Sequence, residues 1–186
     1  WQQQLDNYNA TNSVLMVGQR VYMVYDKDLH ANVGTQNNSE ILAQADFTFD
    51  SQDEFSGLDG SSPIHERLTI PHLMVHSHRT DGHMYATIYR TGYLTTPARN
   101  AVFSEGIISH SSNWGVWHEI GHHHQQNSYR FDGLTEVTVN IYSLATERAL
   151  GRIPNRLISS NRWPAALTYL ADTSPTKSFF TSNLND

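Results

Sequence analysis

The 186-residue sequence contains no cysteine and few charged side chains. Without cysteine the chain can form neither a disulfide nor a thiolate metal site. Charged residues make up 16% of the chain, against roughly 25% in typical soluble domains. The net charge is −6 with neutral histidines, which argues against a nucleic-acid partner because such a partner favours a basic protein face.

Long apolar runs are also missing. A membrane-spanning helix needs about 20 predominantly apolar residues, and no stretch of this sequence approaches that length, so we expect no membrane span. The sequence carries no signal-peptide pattern. It starts at Trp1 and ends in a polar segment, residues 181–186. We therefore expect an excised or processed piece of a longer polypeptide.

Two histidines four residues apart, His118 and His122, enclose Glu119 and form the most informative motif. On a helix this step turns about 40° and rises about 6 Å, so both rings lean over one face. Their Nε2 atoms can then reach one Zn²⁺ at about 2.0–2.1 Å. Glu119, rotated about 100° from His118, is better placed as a general base toward water than as a ligand. A shuffled composition would contain roughly 0.02 copies of this motif.

A second carboxylate, Glu136, lies in the next predicted helix along the chain. Apolar residues at positions 134, 137, 141, 144 and 145 form a stripe with helical period. Glu136 and Asn140 lie together on an adjacent face, one turn apart. The carboxylate would complete a His₂Glu set with one open position, and the amide would orient a ligand. The sequence therefore predicts a site for one Zn²⁺.

These segments carry a resemblance to a known family. Residues 114–126, residues 134–144 and the upstream stretch 84–93 look similar to the enhancin-like, mucin-targeting peptidases (metallopeptidase family sixty), which are gluzincins. The similarity is clear from about residue 68 to about residue 152. The resemblance implies an α+β, zincin-like fold with a mixed sheet, an edge strand beside the active-site helix and a following glutamate helix. Residues 1–186 would be a single metallopeptidase catalytic domain or its N-terminal and central part.

The resemblance also implies an activity and residue roles. It implies a secreted or cell-surface zinc endopeptidase acting on O-glycosylated, mucin-like proteins. By the same resemblance, the zinc ligands would be His118, His122 and Glu136. Glu119 would be the general base and acid, and Asn140 would orient a ligand. Gluzincins also supply a transition-state donor downstream of the glutamate helix. No residue here can be matched to it, so we expect it either beyond Asp186 or at a position in the chain that the family pattern does not indicate.

Two other functions stay open. The protein could be a zinc peptidase for unglycosylated, extended peptides, or a non-catalytic glycan-binding adhesion module whose site has decayed. The intact ligand set and base count against decay. Candidate substrate contacts are the aromatic residues Tyr85, Tyr89 and Trp114, whose rings can stack on sugars, and Gln125, one turn beyond His122. The sequence does not indicate an oligomeric state.

Histidines outside the motif allow further interpretations. His76 and His78 share a strand face and could form a second metal site, but the sequence offers no obvious acidic partner. His123 and His124 extend the motif, and we expect them to be solvated or to support the ligands from behind.

The remaining pattern indicates mixed secondary structure. Residues 13–26 predict two strands with a turn or one bent strand. We predict helices over 39–55, about 113–127, about 132–150 and 164–172, and strands over 68–76 and 84–94. Strand 84–94 is the candidate edge strand for binding an extended substrate backbone.

Overall fold

The computed structural model describes residues 13–29, 37–110 and 113–178, so the polar segment 181–186 lies outside the described residues. A five-stranded mixed sheet forms the framework. Its strands are β1 (Ser13–Val17), β2 (Val21–Asp26), β3 (His72–His76), β4 (Met84–Ala86) and β5 (Arg90–Tyr93), in the order β1-β2-β3-β5-β4. Strands β2, β3 and β5 are parallel, whereas the edge strands β1 and β4 run antiparallel to their neighbours.

Several α-helices with both ends described accompany the sheet. They are α1 (Asn38–Phe55), α2 (Thr96–Phe103), α3 (Asn113–Gly121), α4 (Thr135–Thr138), α5 (Asn140–Ala149), α6 (Arg156–Ser159) and α7 (Arg162–Ala171). Helix α1 begins where the Asn37 side chain accepts a hydrogen bond from the Glu40 N–H at 3.2 Å. It is followed by Gly57 at φ +70°, a conformation that suits glycine after a helix. None of the described helices combines the length and apolar character needed to cross a membrane.

The core lies between the sheet and the helices that pack on it. Alternate residues of β2 and residues four apart on α1 are buried together, as the periods of strand and helix require; they are Val21, Met23, Tyr25, Ile41, Ala45 and Phe49. Burial of apolar surface stabilises a fold by about 25 cal/mol per Å². This packing fixes the sheet against which the next helices are placed.

Two glycines bring α3 close to its neighbours. A Cβ on Gly115 would lie 3.0 Å from the end of the Met84 side chain, and one on Gly121 would lie 2.9 Å from Cβ of Tyr142. Helix α3 thus packs against the edge strand β4 on one side and α5 on the other. This arrangement confirms the expected α+β fold with an edge strand beside the histidine helix.

Most of the predicted elements are present, with some boundaries changed. Residues 13–26 form two strands, the helix over 39–55 is confirmed, and the helix predicted at 164–172 spans Arg162–Ala171. Strand β3 begins only at His72, directly after Pro71, which has no N–H for the ladder. The prediction of one strand over 84–94 was wrong: the Thr87 N–H donates to the Arg90 carbonyl at 2.8 Å and closes a hairpin.

Both motif helices also differ from prediction. Helix α3 ends at Gly121 rather than at residue 127, because the N–H groups of His123 and His124 bond to carbonyls only three residues back. The predicted glutamate helix is interrupted at Val139, between α4 and α5. It ends at Ala149, shortly before Gly151 at φ +65°. Helix α2 was not predicted.

Candidate metal centre

Three side chains from α3, its C-terminal end and α4 converge at one point. Oε2 of Glu136 lies 3.0 Å from Nε2 of His118 and 3.3 Å from Nε2 of His122. The two imidazole rings meet edge to face with centroids 4.9 Å apart. Ligand atoms around a tetrahedral Zn²⁺ with bonds of about 2.0–2.1 Å are separated by about 3.3 Å. The spacing of these three atoms therefore fits one zinc ion.

The tautomer of His118 follows from its neighbours. The indole Nε1–H of Trp114, which can only donate, points at Oδ1 of Asn140 over 3.1 Å. The atom it meets must therefore be the amide oxygen. Nδ1 of His118 lies 3.0 Å from the same oxygen and must donate to it. A neutral His118 ring consequently carries its lone pair on Nε2.

The tautomer of His122 follows in the same way from Gln125. Nε2 of Gln125 lies 2.9 Å from the carbonyl oxygen of Thr135, which can only accept, so the amide nitrogen faces that carbonyl. The amide oxygen then faces Nδ1 of His122 at 3.2 Å, and Nδ1 donates to it. Burial lowers the pKa of His122 and so favours the neutral ring. Its lone pair also lies on Nε2.

These assignments leave no hydrogen between the three converging atoms. Two imidazole lone pairs that lie 3.0 and 3.3 Å from one carboxylate oxygen make no hydrogen bond with it, and the three atoms, all within 4.8 Å of one another, stabilise each other only through a shared cation. The Glu136 side chain is 75% exposed, whereas that of His118 is 16% exposed. The cluster is therefore open on the side of Glu136, and its residues fit a His₂Glu zinc site with an accessible position.

Glu119 lies next to this cluster but is buried itself. Burial raises its pKa to about 7; the charge of Glu136 acts in the same direction, and His118 opposes it. Its carboxyl can thus gain and lose a proton near neutral pH. That property suits a group that exchanges protons with a reacting molecule.

A groove of about 980 Å³ begins at Glu136 and Asn140. It runs between α5 and the last two helices, and most of its surface is apolar. Its aromatic lining consists of Phe55, Trp114, Tyr129, Phe131, Tyr142 and Trp163. The groove is large enough for a peptide segment or a short glycan beside the open side of the cluster.

The four predicted substrate contacts occupy different places. Trp114 lines the groove, although its N–H is bound by Asn140. The amide of Gln125 faces His122 and α4. Tyr85 lies against Gly92 and under the Arg79 guanidinium, on the sheet face opposite the side chain of Met84 that meets α3.

Tyr89 lies at the hairpin tip and is 65% exposed. The structure therefore brings Trp114 and Gln125 to the cluster and leaves both tyrosines on the hairpin between β4 and β5.

A second group of potential ligands lies at the ends of β2 and β3. Oδ2 of Asp26 is 3.2 Å from Nδ1 of His76 and 3.3 Å from Nε2 of His78. Asp26 is the acidic partner that the sequence did not reveal. However, a guanidinium nitrogen of Arg99 lies 2.6 Å from Nε2 of His76 and can only donate to it. Nδ1 of His76 therefore carries the proton and offers no lone pair to a metal.

Of the two histidines after the motif, His124 is buried and His123 is half-buried, so the alternative that both are solvated was wrong. His124 bonds through Nε2 to Asp53 at 2.9 Å, and Asp53 pairs with Arg20. The His123 ring packs edge to face on His72, with centroids 4.0 Å apart. Burial lowers the pKa of His123 to about 4. Because α3 has already ended, helical spacing could not place these rings.

Comparison with known proteins links these features to one family. A family model described as peptidase M60, enhancin and enhancin-like, matches residues 1–182. The chain is 28% identical over 160 residues to the putative lipoprotein YghJ of Escherichia coli O78:H11 (strain H10407). The aligned segment makes up 82% of this chain and 10% of that protein.

Solved structures give the same result. A functionally unknown conserved protein of Bacillus anthracis strain Ames superposes with a TM-score of 0.81 at 30% identity, over 91% of this chain and 35% of that one. The M60 catalytic domain of Clostridium perfringens ZmpC, in complex with the sialyl T antigen, shares the fold with a TM-score of 0.68 at 19% identity, over 87% of this chain and 32% of that one. The chain thus spans about a third of these solved chains and about a tenth of the Escherichia coli protein. It belongs to the peptidase M60, enhancin and enhancin-like, family.

Proposed function

We propose that the protein is a zinc-dependent endopeptidase that hydrolyses peptide bonds in O-glycosylated, mucin-like proteins. One observation carries this proposal: Oε2 of Glu136 lies 3.0 and 3.3 Å from Nε2 of His118 and His122, and the cluster is open on the side of Glu136. A closed structural site would have four protein ligands, whereas three ligands and an open position are typical of catalytic zinc.

The chain's own residues would divide the chemistry. His118, His122 and Glu136 would hold the ion. Bound zinc lowers the pKa of a water molecule toward about 7 and polarises the scissile carbonyl. Glu119 would take a proton from the attacking water and deliver it to the nitrogen of the leaving amine as the peptide bond breaks. Its burial beside the cluster supports this role.

The groove supports a glycosylated substrate. Tyr129 and Trp163 line it and are 57% and 54% exposed, so their rings offer flat apolar faces to a sugar. The related ZmpC domain is described in complex with the sialyl T antigen. We therefore propose that a glycan of the substrate lies in this groove while the peptide passes the metal. A secreted or cell-surface location fits such a substrate and the name of the lipoprotein relative.

The test is digestion of one O-glycopeptide and its glycan-free twin, followed by mass spectrometry, with wild-type protein and Glu119→Ala. We expect cleavage of the glycosylated peptide only, and none by the variant. Cleavage of both peptides would keep the zinc peptidase and remove the mucin specificity. Binding to mucin without chelator-sensitive cleavage would favour an adhesion module and overturn the proposed enzyme.

A further inference from the structure

Gln125 contacts a proposed zinc ligand and the helix that carries another. We infer that Gln125 is a positioning residue: it fixes the tautomer of His122 and the separation of His122 from Glu136, and it thereby sets the affinity of the site for zinc. This inference rests on the proposed function, since it assigns a role at the same metal site. It replaces the substrate contact that the sequence suggested for Gln125.

The amide of Gln125 reaches three groups at once. Its oxygen accepts from Nδ1 of His122 at 3.2 Å, and its nitrogen donates to the Thr135 carbonyl at 2.9 Å and to Oγ1 of Thr138 at 2.8 Å. The Thr138 hydroxyl donates to the Leu134 carbonyl at 3.1 Å, so its oxygen is available as an acceptor. Both amide hydrogens and the oxygen are therefore used, and the three bonds together fix which end of the amide faces His122.

Position explains how one residue makes these contacts. Helix α3 ends at Gly121, and the chain then turns tightly through His123 and His124. This turn carries Gln125 back under the ring of His122 and up to α4, the short helix that presents Glu136. Had α3 continued to residue 127, Gln125 would have stayed on the helix surface. The early end of α3 is thus what gives Gln125 its role.

Asn140 makes the corresponding set of bonds on the other side of the cluster. Its oxygen accepts from Nδ1 of His118, and its nitrogen donates to the Glu136 carbonyl at 3.0 Å. Each amide therefore joins the outer nitrogen of one histidine to a backbone carbonyl of α4. Asn140 does so from the glutamate side and Gln125 from the histidine side. The two cross-links hold both rings in register with Glu136.

Removal of Gln125 has a specific consequence for His122. Nδ1 would lose its acceptor, and the ring proton could move to Nε2. Nε2 already lies 3.3 Å from Oε2 of Glu136, so the proton would form a hydrogen bond in the place of the metal. Zinc would then have to displace this bond before binding. Loss of such a supporting partner typically weakens metal affinity by about 10- to 100-fold.

The experiment is a zinc titration of the chain against a competing chelator, with Gln125→Ala, Gln125→Glu and the control Gln126→Ala. Gln126 is an exposed amide one position further along. We expect Gln125→Ala to bind zinc about 10- to 100-fold more weakly. Gln125→Glu keeps the acceptor for His122 but loses both donors to α4, and it should fall between wild type and Gln125→Ala. Gln126→Ala should bind as wild type does.

Nitrogen-15 spectra of the metal-free histidines give a readout that a general loss of stability would not produce. We expect the Nδ1–H form of His122 in wild type and Gln125→Glu, and a substantial Nε2–H form in Gln125→Ala. Circular dichroism checks that each variant is folded, and Gln125→Glu alone decides the matter if Gln125→Ala is not.

Unchanged affinity and tautomer in a folded Gln125 variant would overturn the inference and leave the proposed function standing. A folded wild-type protein that binds no zinc would overturn both.

Discussion

The protein contains two clusters with the same types of side chain and nearly the same spacing. The motif cluster, His118, His122 and Glu136, has a carboxylate oxygen 3.0 and 3.3 Å from two ring nitrogens. In the strand cluster, Asp26, His76 and His78, a carboxylate oxygen likewise lies 3.2 and 3.3 Å from two ring nitrogens. Composition and distance alone therefore do not separate the proposed metal site from an ion-pair cluster.

The difference lies in the partners of the outer ring nitrogens. In the motif cluster amide oxygens accept from Nδ1 of both rings, so the inner nitrogens hold lone pairs. In the strand cluster the Arg99 guanidinium donates to the outer nitrogen of His76, so the inner nitrogen holds the proton. Arg99 also adds a fixed positive charge that repels a cation. The second partner of a histidine thus decides whether the ring can bind a metal.

The largest expected effect is a loss of bound zinc, which should occur when the motif cluster is changed and not when the strand cluster is. His118→Ala removes a lone pair that cannot be replaced, and we expect the bound zinc to fall from one equivalent to none. His78→Ala makes the same change in the strand cluster, at a side chain that is 74% exposed, and should leave zinc content unchanged. Elemental analysis after dialysis measures both. Equal loss in the two variants would mean that the strand cluster also holds zinc.

Glu119→Gln should separate binding from catalysis within the motif cluster. Glutamine has the shape of glutamate but cannot take a proton from water, so cleavage of the glycopeptide should fall by about 10²- to 10⁴-fold. Zinc content should stay at the wild-type value, because no ligand changes. The matched control is Glu54→Gln at an exposed carboxylate on α1. Full cleavage by Glu119→Gln would contradict the role of Glu119.

The sequence predicted the motif cluster better than its surroundings. Helical spacing is local, so the sequence alone was enough to indicate His118 and His122. Glu136 could be found because the predicted helix that carries it shows an apolar stripe. Asp26 could not be paired with His76, since 50 residues separate them and only the parallel pairing of β2 with β3 brings their ends together. Gln125 was found as a candidate, but its bond to His122 was not foreseen, because its place depends on where α3 ends.

Fold prediction failed in places where tertiary contacts override local preference. Residues 84–94 have the composition of a single strand, yet they fold back at 87–89 so that β4 can cover the edge of β5 beside α3. His123 and His124 follow the helical motif but turn inward to meet His72 and Asp53. Periodicity indicates which element a segment forms. It says little about which side chains of other elements the residues at the end of that element will contact.

A smaller effect concerns the stability of the metal-free protein and its dependence on pH. The pKa of Glu119 is about 7 in the fold and 4.5 ordinarily. Because Glu119 ionises at lower pH in the unfolded chain than in the fold, its own contribution to stability falls as pH rises from about 4.5 to about 7 and is not regained above. Glu119→Gln removes this loss and should raise the free energy of unfolding at pH 8, relative to pH 4, by on the order of 3 kcal/mol.

Denaturant unfolding in the presence of a chelator measures this difference, with Glu54→Gln as the control that should show no such gain. A Glu119→Gln profile parallel to that of wild type would show that burial of the carboxyl carries no such penalty.

The smallest expected effect is a gain of zinc binding, and it tests the comparison of the two clusters directly. Arg99→Ala removes the donor that the described residues place at Nε2 of His76, so the ring proton can move there and Nδ1 can face Asp26 as a lone pair. The strand cluster would then bind a second zinc ion. It would do so about 10- to 100-fold more weakly than the motif cluster, because no side-chain amide among residues 13–29, 37–110 and 113–178 is seen to hold its rings.

Arg99→Lys keeps a charged donor and should not bind this second ion, and Arg99→Ala combined with His78→Ala should lose it. Calorimetric titration distinguishes one site from two. A single site in Arg99→Ala would show that the partner of the outer nitrogen is not what separates the clusters. The exposure of His78, which leaves one ligand of the strand cluster free to rotate into solvent, would then be the difference that matters.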